Sequence, residues 1–242
     1  MQIHSHTLVS EIATAAPATI KVFQRHQIEF CCGGRVPLGE VCLERGIDVD
    51  AVLLELSAAL STADSGVDWR QRSLSDLVEH IQSRYHVPLV DELPRLAAML
   101  ARVIQRHGSA LADTVYPLRE TFEALHRELL SHMAREDRVF FPAVRALEAG
   151  QPGDWTWLEQ PMEVLEAEHD SAGNSLARIR EITNGYAPPD WACPTFRGLY
   201  HGLAALESEM HQHVHLENHV LFPRAAELAR SMRPAPVACP LA

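Results

Sequence analysis

From about residue 73 onward, apolar positions recur at alternating steps of three and four, the spacing that buries one face of a helix. Four stretches keep this pattern: 73–106, closed by Gly108; 116–149, closed by Gly150; 155–183, closed by Asn184-Gly185; and 193–232, stopped by Pro234. Glycine and proline at every end are the expected helix terminators. The connections are short, so consecutive helices are expected to be antiparallel neighbours in an up-down-up-down four-helix bundle. Pro88 and Pro94 fall inside the first stretch and predict local bends there.

Each helix has one core stripe. The first reads His86, Leu89, Leu93, Leu96, Leu100, Val103, His107. The second reads Leu118, Phe122, Leu125, Leu129, His132, Glu136, Val139, Ala143, Ala146. The third reads Leu158, Met162, Leu165, His169, Ala172, Leu176, Ile179, and the fourth Leu203, Leu206, Met210, His213, Glu217, Val220.

Ahead of the bundle, 7–60 reads as several short helices. Pro17 opens one, Asp48 is a candidate N-cap for another, and Phe30-Cys31-Cys32-Gly33-Gly34 lies in a loop between them. The Ser/Thr/Asp/Gly stretch 61–68 reads as connection. The expected organisation is all-α: a small cysteine-loop unit at 1–62, a linker at 63–72, the bundle at 73–233 and a tail at 234–242.

Charge removes several functions. The chain has 242 residues, with 21 Lys and Arg against 32 Asp and Glu, a net charge of −11. An acidic chain without basic blocks is a poor fit for nucleic acid or an anionic membrane. No apolar run approaches the roughly 20 residues of a membrane span, and the first residues lack a signal-peptide pattern. Five cysteines without an export signal read as reduced cytoplasmic thiols.

The unusual number is 14 histidines. Every core stripe carries at least one, and two carry a glutamate one turn later. A buried imidazole or carboxylate without a partner costs several kcal/mol. Six in one core must therefore satisfy one another or share a cation. An internal repeat sharpens this. His132-x-x-x-Glu136-x-x-Val139-Phe140-Phe141-Pro142 matches His213-x-x-x-Glu217-x-x-Val220-Leu221-Phe222-Pro223. The i, i+4 spacing sets His and Glu side by side on one face. The plain alternative is a buried hydrogen-bonded network; the duplicated flanks favour ligation. Mixed imidazole and carboxylate donors suit iron, manganese or zinc. The expected centre is two irons bridged by Glu136 and Glu217, each with two histidines drawn from His86, His132, His169 and His213.

Other histidines read differently. His107 lies 21 residues beyond His86, about 32 Å along a helix, and so cannot join the same site. His211, His215 and His219 sit about 200° from His213, on a face expected to be solvated or to support the centre from outside, with a surface metal site as the alternative. Glu123 with His126 and Glu166 with His169 have the spacing of ferritin-like ligands and form a minor alternative. Glu168 is either an exposed carboxylate or a group that orients a ligand. Cys31 and Cys32 are either small apolar loop residues or thiols used for redox exchange, metal transfer or cluster contact. Cys42, Cys193 and Cys239 show no pairing pattern.

At these residues the chain resembles the repair-of-iron-centres proteins, the iron–sulfur cluster repair di-iron family. Phe30-Cys31-Cys32-Gly33-Gly34 is similar to their short cysteine-containing domain. Arg84-Tyr85-His86, His132-x-x-x-Glu136, Glu168-His169-Asp170 and His213-x-x-x-Glu217-Asn218, with Leu221-Phe222-Pro223-Arg224, resemble a hemerythrin-like domain. The resemblance covers nearly the whole chain. It implies an oxo- and carboxylate-bridged di-iron centre, a cytoplasmic role in restoring clusters damaged by oxidative or nitrosative stress, and reactivity with nitric oxide or O2. Its partners would be iron–sulfur proteins with damaged clusters, and a homodimer is a further expectation for the chain. Two further readings stand beside repair by iron supply: a di-iron nitric oxide reductase coupling two NO molecules, and a hemerythrin-like O2 or NO sensor.

Overall fold

A computed structural model describes residues 3–62 and 67–232. The proposed tail, Cys239, Pro234 and residues 63–66 of the proposed linker lie outside the described residues. Four short helices come first: α1 Val9–Ala15, α2 Ile20–Arg25, α3 Leu38–Arg45 and α4 Val49–Thr62. The remainder is helical: α5 Leu74–Ile81, α6 Val87–His107, α7 Ala112–Arg135, α8 Phe141–Glu148, α9 Glu159–Ile182, α10 Pro194–Leu216 and α11 Phe222–Ser231. These build four rods, 74–107, 112–148, 159–182 and 194–231, that pack as a ring: α6 on α7, α7 on α9, α9 on α10, and α10 back on α6. The fold is an all-α helical bundle.

Three of the four rods are not continuous α-helix. Each is interrupted by one π turn: Gln82–His86, Glu136–Phe140 and Glu217–Leu221. The widened turns close through Val87 N–H to Gln82 O, Phe141 N–H to Glu136 O, and Phe222 N–H to Glu217 O. Proline explains their position. Its ring collides with the carbonyl four residues back, and it offers no N–H to that carbonyl. Pro88, Pro142 and Pro223 therefore conflict with the carbonyls of Arg84, Arg138 and His219, each at the middle of its π turn. The extra residue in the turn opens the backbone there. The duplicated Phe-Pro tail thus carries a backbone signal as well as a ligand repeat.

The inserted residue also shifts the buried face. Up to Glu136 the second rod buries Leu118, Phe122, Leu125, Leu129 and His132. Beyond it, the expected stripe of Val139, Ala143 and Ala146 holds only at Ala143: Val139 is 54% exposed and Ala146 is half-buried. Phe140, Val144 and Leu147 are buried instead, each one residue later. The first rod shows the mirror effect, burying Ile81, Val78 and Leu74 before its turn.

The bundle interior divides at the level of these turns. One apolar cluster, including Leu77, Ile81, Phe140, Phe141, Leu147, Leu158 and Phe222, fills the end beyond them. The other fills the opposite end and runs on into the N-terminal unit, joining Leu96, Leu118, Phe122 and Leu203 with Val9, Ile12, Phe23, Phe30 and Leu38. The N-terminal unit is therefore packed against the bundle. Gly34 has a steric task in that unit: a Cβ there would lie 2.6 Å from Phe30 O and 2.9 Å from Ser10 Cβ.

Candidate metal centre

Between the two apolar clusters lie six polar side chains that water barely reaches. His86 is 3% exposed, His132 4%, His169 2% and His213 1%, while Glu136 and Glu217 are fully buried. The first rod supplies His86, the second His132 and Glu136, the third His169, and the fourth His213 and Glu217. The two glutamates begin their π turns and His86 ends its own. The widened backbone therefore occurs where donors must converge, a common place for such turns.

All four imidazoles aim Nε2 inward. His86 Nε2 lies 3.1 Å from His213 Nε2, and His169 Nε2 lies 3.0 Å from His132 Nε2. Glu217 Oε1 is 3.0 Å from His213 Nε2, and its Oε2 is 3.1 Å from His169 Nε2. Glu136 Oε2 stands 3.2 Å from His132 Nε2 and 3.4 Å from His86 Nε2. The donors fall into two overlapping sets, His86, Glu136, His213, Glu217 and His132, Glu136, His169, Glu217. Both glutamates belong to both sets.

Three of the rings are held from behind. His86 Nδ1 donates to Asp137 Oδ1 at 3.0 Å, His132 Nδ1 to Glu168 Oε2 at 2.8 Å, and His169 Nδ1 to Asn218 Oδ1 at 2.7 Å. Outer partners of this kind fix which nitrogen carries the hydrogen and leave the other lone pair for a cation. Asp137 is itself held by Gln82 Nε2 at 2.8 Å, and Gln82 Oε1 accepts from Arg145 at 3.0 Å. Glu168 also pairs with Arg135. Tyr85 lies flat on His213, with ring centres 5.1 Å apart and planes 5° apart.

This arrangement fits a shared cation better than a self-contained hydrogen-bond network. With three Nδ1–H groups committed outward, inward Nε2 lone pairs face each other across about 3 Å. Both oxygens of Glu136 and Oε2 of Glu217 are buried without a hydrogen-bond partner of good geometry. Such orphaned acceptors are costly unless something positive joins them. The electrostatics agree. Burial lowers the His86 imidazole, but Asp137 and Glu136 outweigh it and raise it to about 10. Burial likewise opposes a charge on His132, yet Glu136 and Glu168 raise it to about 9. Glu217 is held well below the usual carboxylate range despite its burial, because His213 and His169 favour its ionised form. Burial pulls His213 down against the opposing pull of Glu217.

The other candidates separate cleanly. His107 lies at the far end of the first rod, against Trp191 and Phe196, with ring centres at 5.4 and 5.9 Å. Glu123 is exposed, His126 stacks near Phe122, and Glu166 pairs with Arg35, so the ferritin-like pairs do not meet. The face of His211, His215 and His219 is not solvated: it receives the cysteine loop. His215 is 2% exposed, donates from Nδ1 to Phe30 O at 3.1 Å, and meets Thr14 Oγ1 at 3.2 Å. His219 Nε2 donates to Cys31 O at 2.6 Å. Asn218 Nδ2 donates to the same carbonyl at 3.4 Å. Asn218 therefore links the cysteine loop to His169 through one side chain. Sequence reasoning gave no role to Asp137, Asn218 or Tyr85. Their adjacency to Glu136, Glu217 and His86 was the available signal.

Residues 77–225 match the family model described as "Hemerythrin HHE cation binding domain". Residues 5–60 match a model described as "Domain of Unknown function". The iron-sulfur cluster repair protein YtfE of Yersinia pseudotuberculosis serotype IB (strain PB1/+) is 36% identical over 214 residues, covering 88% of this chain and 94% of that protein. The protein of the same name from Yersinia pestis (strain Pestoides F) shows the same identity and coverage. The chain belongs to the hemerythrin-like iron–sulfur cluster repair family. Both parts of the family's architecture are thus present, and the buried His/Glu cluster falls inside the cation-binding domain. No helix among the described residues is long and apolar enough to cross a membrane.

Proposed function

We propose that the chain is a cytoplasmic di-iron protein that restores iron–sulfur clusters damaged by oxidative or nitrosative stress by supplying iron. The observation that carries this reading is the pair of overlapping donor sets with Glu136 and Glu217 common to both. His86 and His213 would hold one ion, His132 and His169 the other, with the two carboxylates spanning both. Imidazole and carboxylate donors without sulfur suit iron, which, when bound here, supplies both redox chemistry and the element that a damaged cluster has lost.

The residues around the site favour exchange over permanent sequestration. Asp137, Glu168 and Asn218 hold three of the four rings in place from outside, so most of the donor geometry is set by the chain itself. Asp137 and Glu168 are each about a third exposed, which brings polar groups, and with them water, to the back of the site. The substrate is an iron–sulfur protein with a damaged cluster, and nitric oxide and O2 are the small ligands expected to reach the centre.

Metal content and Mössbauer spectra of iron-57-loaded protein test the reading, with wild type beside the Glu136→Ala, Glu217→Ala double variant. Two antiferromagnetically coupled irons per chain, lost in the variant, are expected. One iron, or zinc unaffected by the substitutions, would remove the di-iron centre. Restoration of a damaged [4Fe–4S] protein by the loaded wild type and not by the variant would then establish repair. Multiple-turnover nitrous oxide production without such restoration would transfer the activity to NO reduction.

A further inference from the structure

A second cluster of donors lies where the cysteine loop meets the bundle. We propose that Glu29, Cys31 and His211, with Cys32 beside them, form a separate site for one thiophilic divalent cation. A carboxylate oxygen of Glu29, Cys31 Sγ and an imidazole nitrogen of His211 all lie within 4.8 Å of one another. A tetrahedral ion with metal–sulfur bonds near 2.3 Å and metal–nitrogen or –oxygen bonds near 2.0 Å sets its ligand atoms roughly 3.3–3.8 Å apart. The three donor atoms therefore stand within about 1.5 Å of ligating separations. The sulfurs of Cys31 and Cys32 are unbonded to each other and 3.8 Å apart, the separation of two thiolates on one such ion. Cys32 stands outside the set of three but next to Cys31, and a turn of its side chain would make it the fourth donor.

The loop is already folded around the carboxylate. Glu29 Oε1 accepts from Cys31 N–H at 2.8 Å, Cys32 N–H at 3.1 Å and the Cys31 thiol at 2.7 Å. Its other oxygen takes none of these bonds. His211 reaches the site from α10, with its ring edge against Phe30 at 6.0 Å between centres. Three donors thus come from the N-terminal loop and one from the bundle, so a bound ion would fasten the two units together. A surface cleft lined by Glu29, Gly173, Arg180, Glu207, Ser208 and His211 leads in from solvent. A Cβ added at Gly173 would lie 3.9 Å from Cys32 Sγ, so the loop packs close to α9 at this point.

Binding would exchange one cation for the thiol protons: each bound thiol becomes a thiolate and its proton passes to water. This inference does not depend on the function proposed above. The buried centre has no sulfur donor, so a sulfur signature reports the second site alone.

The experiment is an anaerobic Co(II) titration of the full chain with its buried centre already loaded with iron, followed by near-ultraviolet absorption for thiolate-to-cobalt charge transfer. The expected result is a band saturating at one Co(II) per chain. It should vanish in Cys31→Ser, and its half-saturation concentration should rise about tenfold or more in Glu29→Gln and in His211→Ala. Cys42→Ser, Cys193→Ser and Cys239→Ser should leave it unchanged. Cobalt-edge X-ray absorption on the wild type should find sulfur together with nitrogen or oxygen neighbours, and it needs no variant to fold. Absence of the band, or a band of unchanged affinity in both Glu29→Gln and His211→Ala, would overturn the proposal.

Discussion

The fourth rod carries histidines on two faces, and the contrast between them shows what gives an imidazole its task. On one face His213 precedes Glu217 by four residues; on the other His211, His215 and His219 repeat at the same spacing. His213 looks into a chamber of three more imidazoles and two carboxylates. His215 and His219 look at the backbone carbonyls of Phe30 and Cys31. Carbonyls accept a hydrogen from a neutral ring but bring no net charge. Burial accordingly pulls His215 down to about 4, helped by the neighbouring His219. Spacing alone does not distinguish a ligand from a docking residue. The charge facing it does.

The sharpest way to break this contrast is a crossed pair of truncations. His213→Ala should remove at least one iron per chain, read by metal analysis of iron-loaded protein, while leaving the loop docked. His215→Ala should keep the iron and cost about 1–3 kcal/mol of stability, because the Phe30 carbonyl loses its buried donor. Hydrogen exchange at Phe30 and Cys31 reads the loss of docking. If His215→Ala strips the iron instead, the two faces are not separate.

Among the described residues Asn218 is the one side chain bonded to both sides, so it tests how far they are coupled. Asn218→Ala should weaken metal affinity about 10–100-fold, as expected when a ring loses its outer partner. The same change should loosen the loop at Cys31. Competition with a chelator and hydrogen exchange measure the two effects in one variant.

Acid should act on the docking face in a defined direction. His215 titrates near 4 in the folded chain and near 6.5 when released, so the unfolded state binds the extra proton. Its contribution to stability is complete above about pH 6.5 and fades as the pH falls towards 4. Denaturation midpoints of the wild type should therefore drop over that window, with a shallower drop in His215→Ala.

The smallest effect is expected far from both faces. Glu148 accepts from the N–H groups of Leu74 at 2.5 Å and Ser75 at 2.8 Å, capping α5. Burial would raise its carboxyl, but these bonds hold it below the usual range, so its contribution is present above about pH 4.5 and lost in stronger acid. Glu148→Gln should cost no more than about 1 kcal/mol in thermal unfolding at neutral pH, with iron content untouched.

Much of this molecule was legible from hydrophobic spacing. The four rods, and the ends beside Gly108, Gly150 and Asn184-Gly185, follow from the apolar repeat and its glycine stops. The six converging donors follow from polar residues standing where apolar ones were expected. What was not legible depended on geometry between helices. Asp137 and Asn218 look like surface residues until the rods are assembled and each is found behind a neighbouring rod's histidine. The docking face was misjudged because its partners are carbonyls of a distant loop, which leave no pattern in α10. Val139 was misplaced because one helical period was carried through a turn that contains an extra residue.

That extra residue has a consequence for how the chain can change. An α-helix advances about 100° per residue, so each π turn sets the segment beyond it about a quarter-turn out of phase. Alignment, design or mutation that treats a rod as a single wheel will point the wrong side chains inward beyond the donors. Losing one residue from Glu136–Phe140 would not trim a loop. It would return the rod to one continuous α period with Phe140, Val144 and Leu147 still on the inward stripe, and set Pro142 against the carbonyl four residues back without the widened turn that now relieves it. The widened turn and the proline four residues beyond its middle are therefore inherited as one unit.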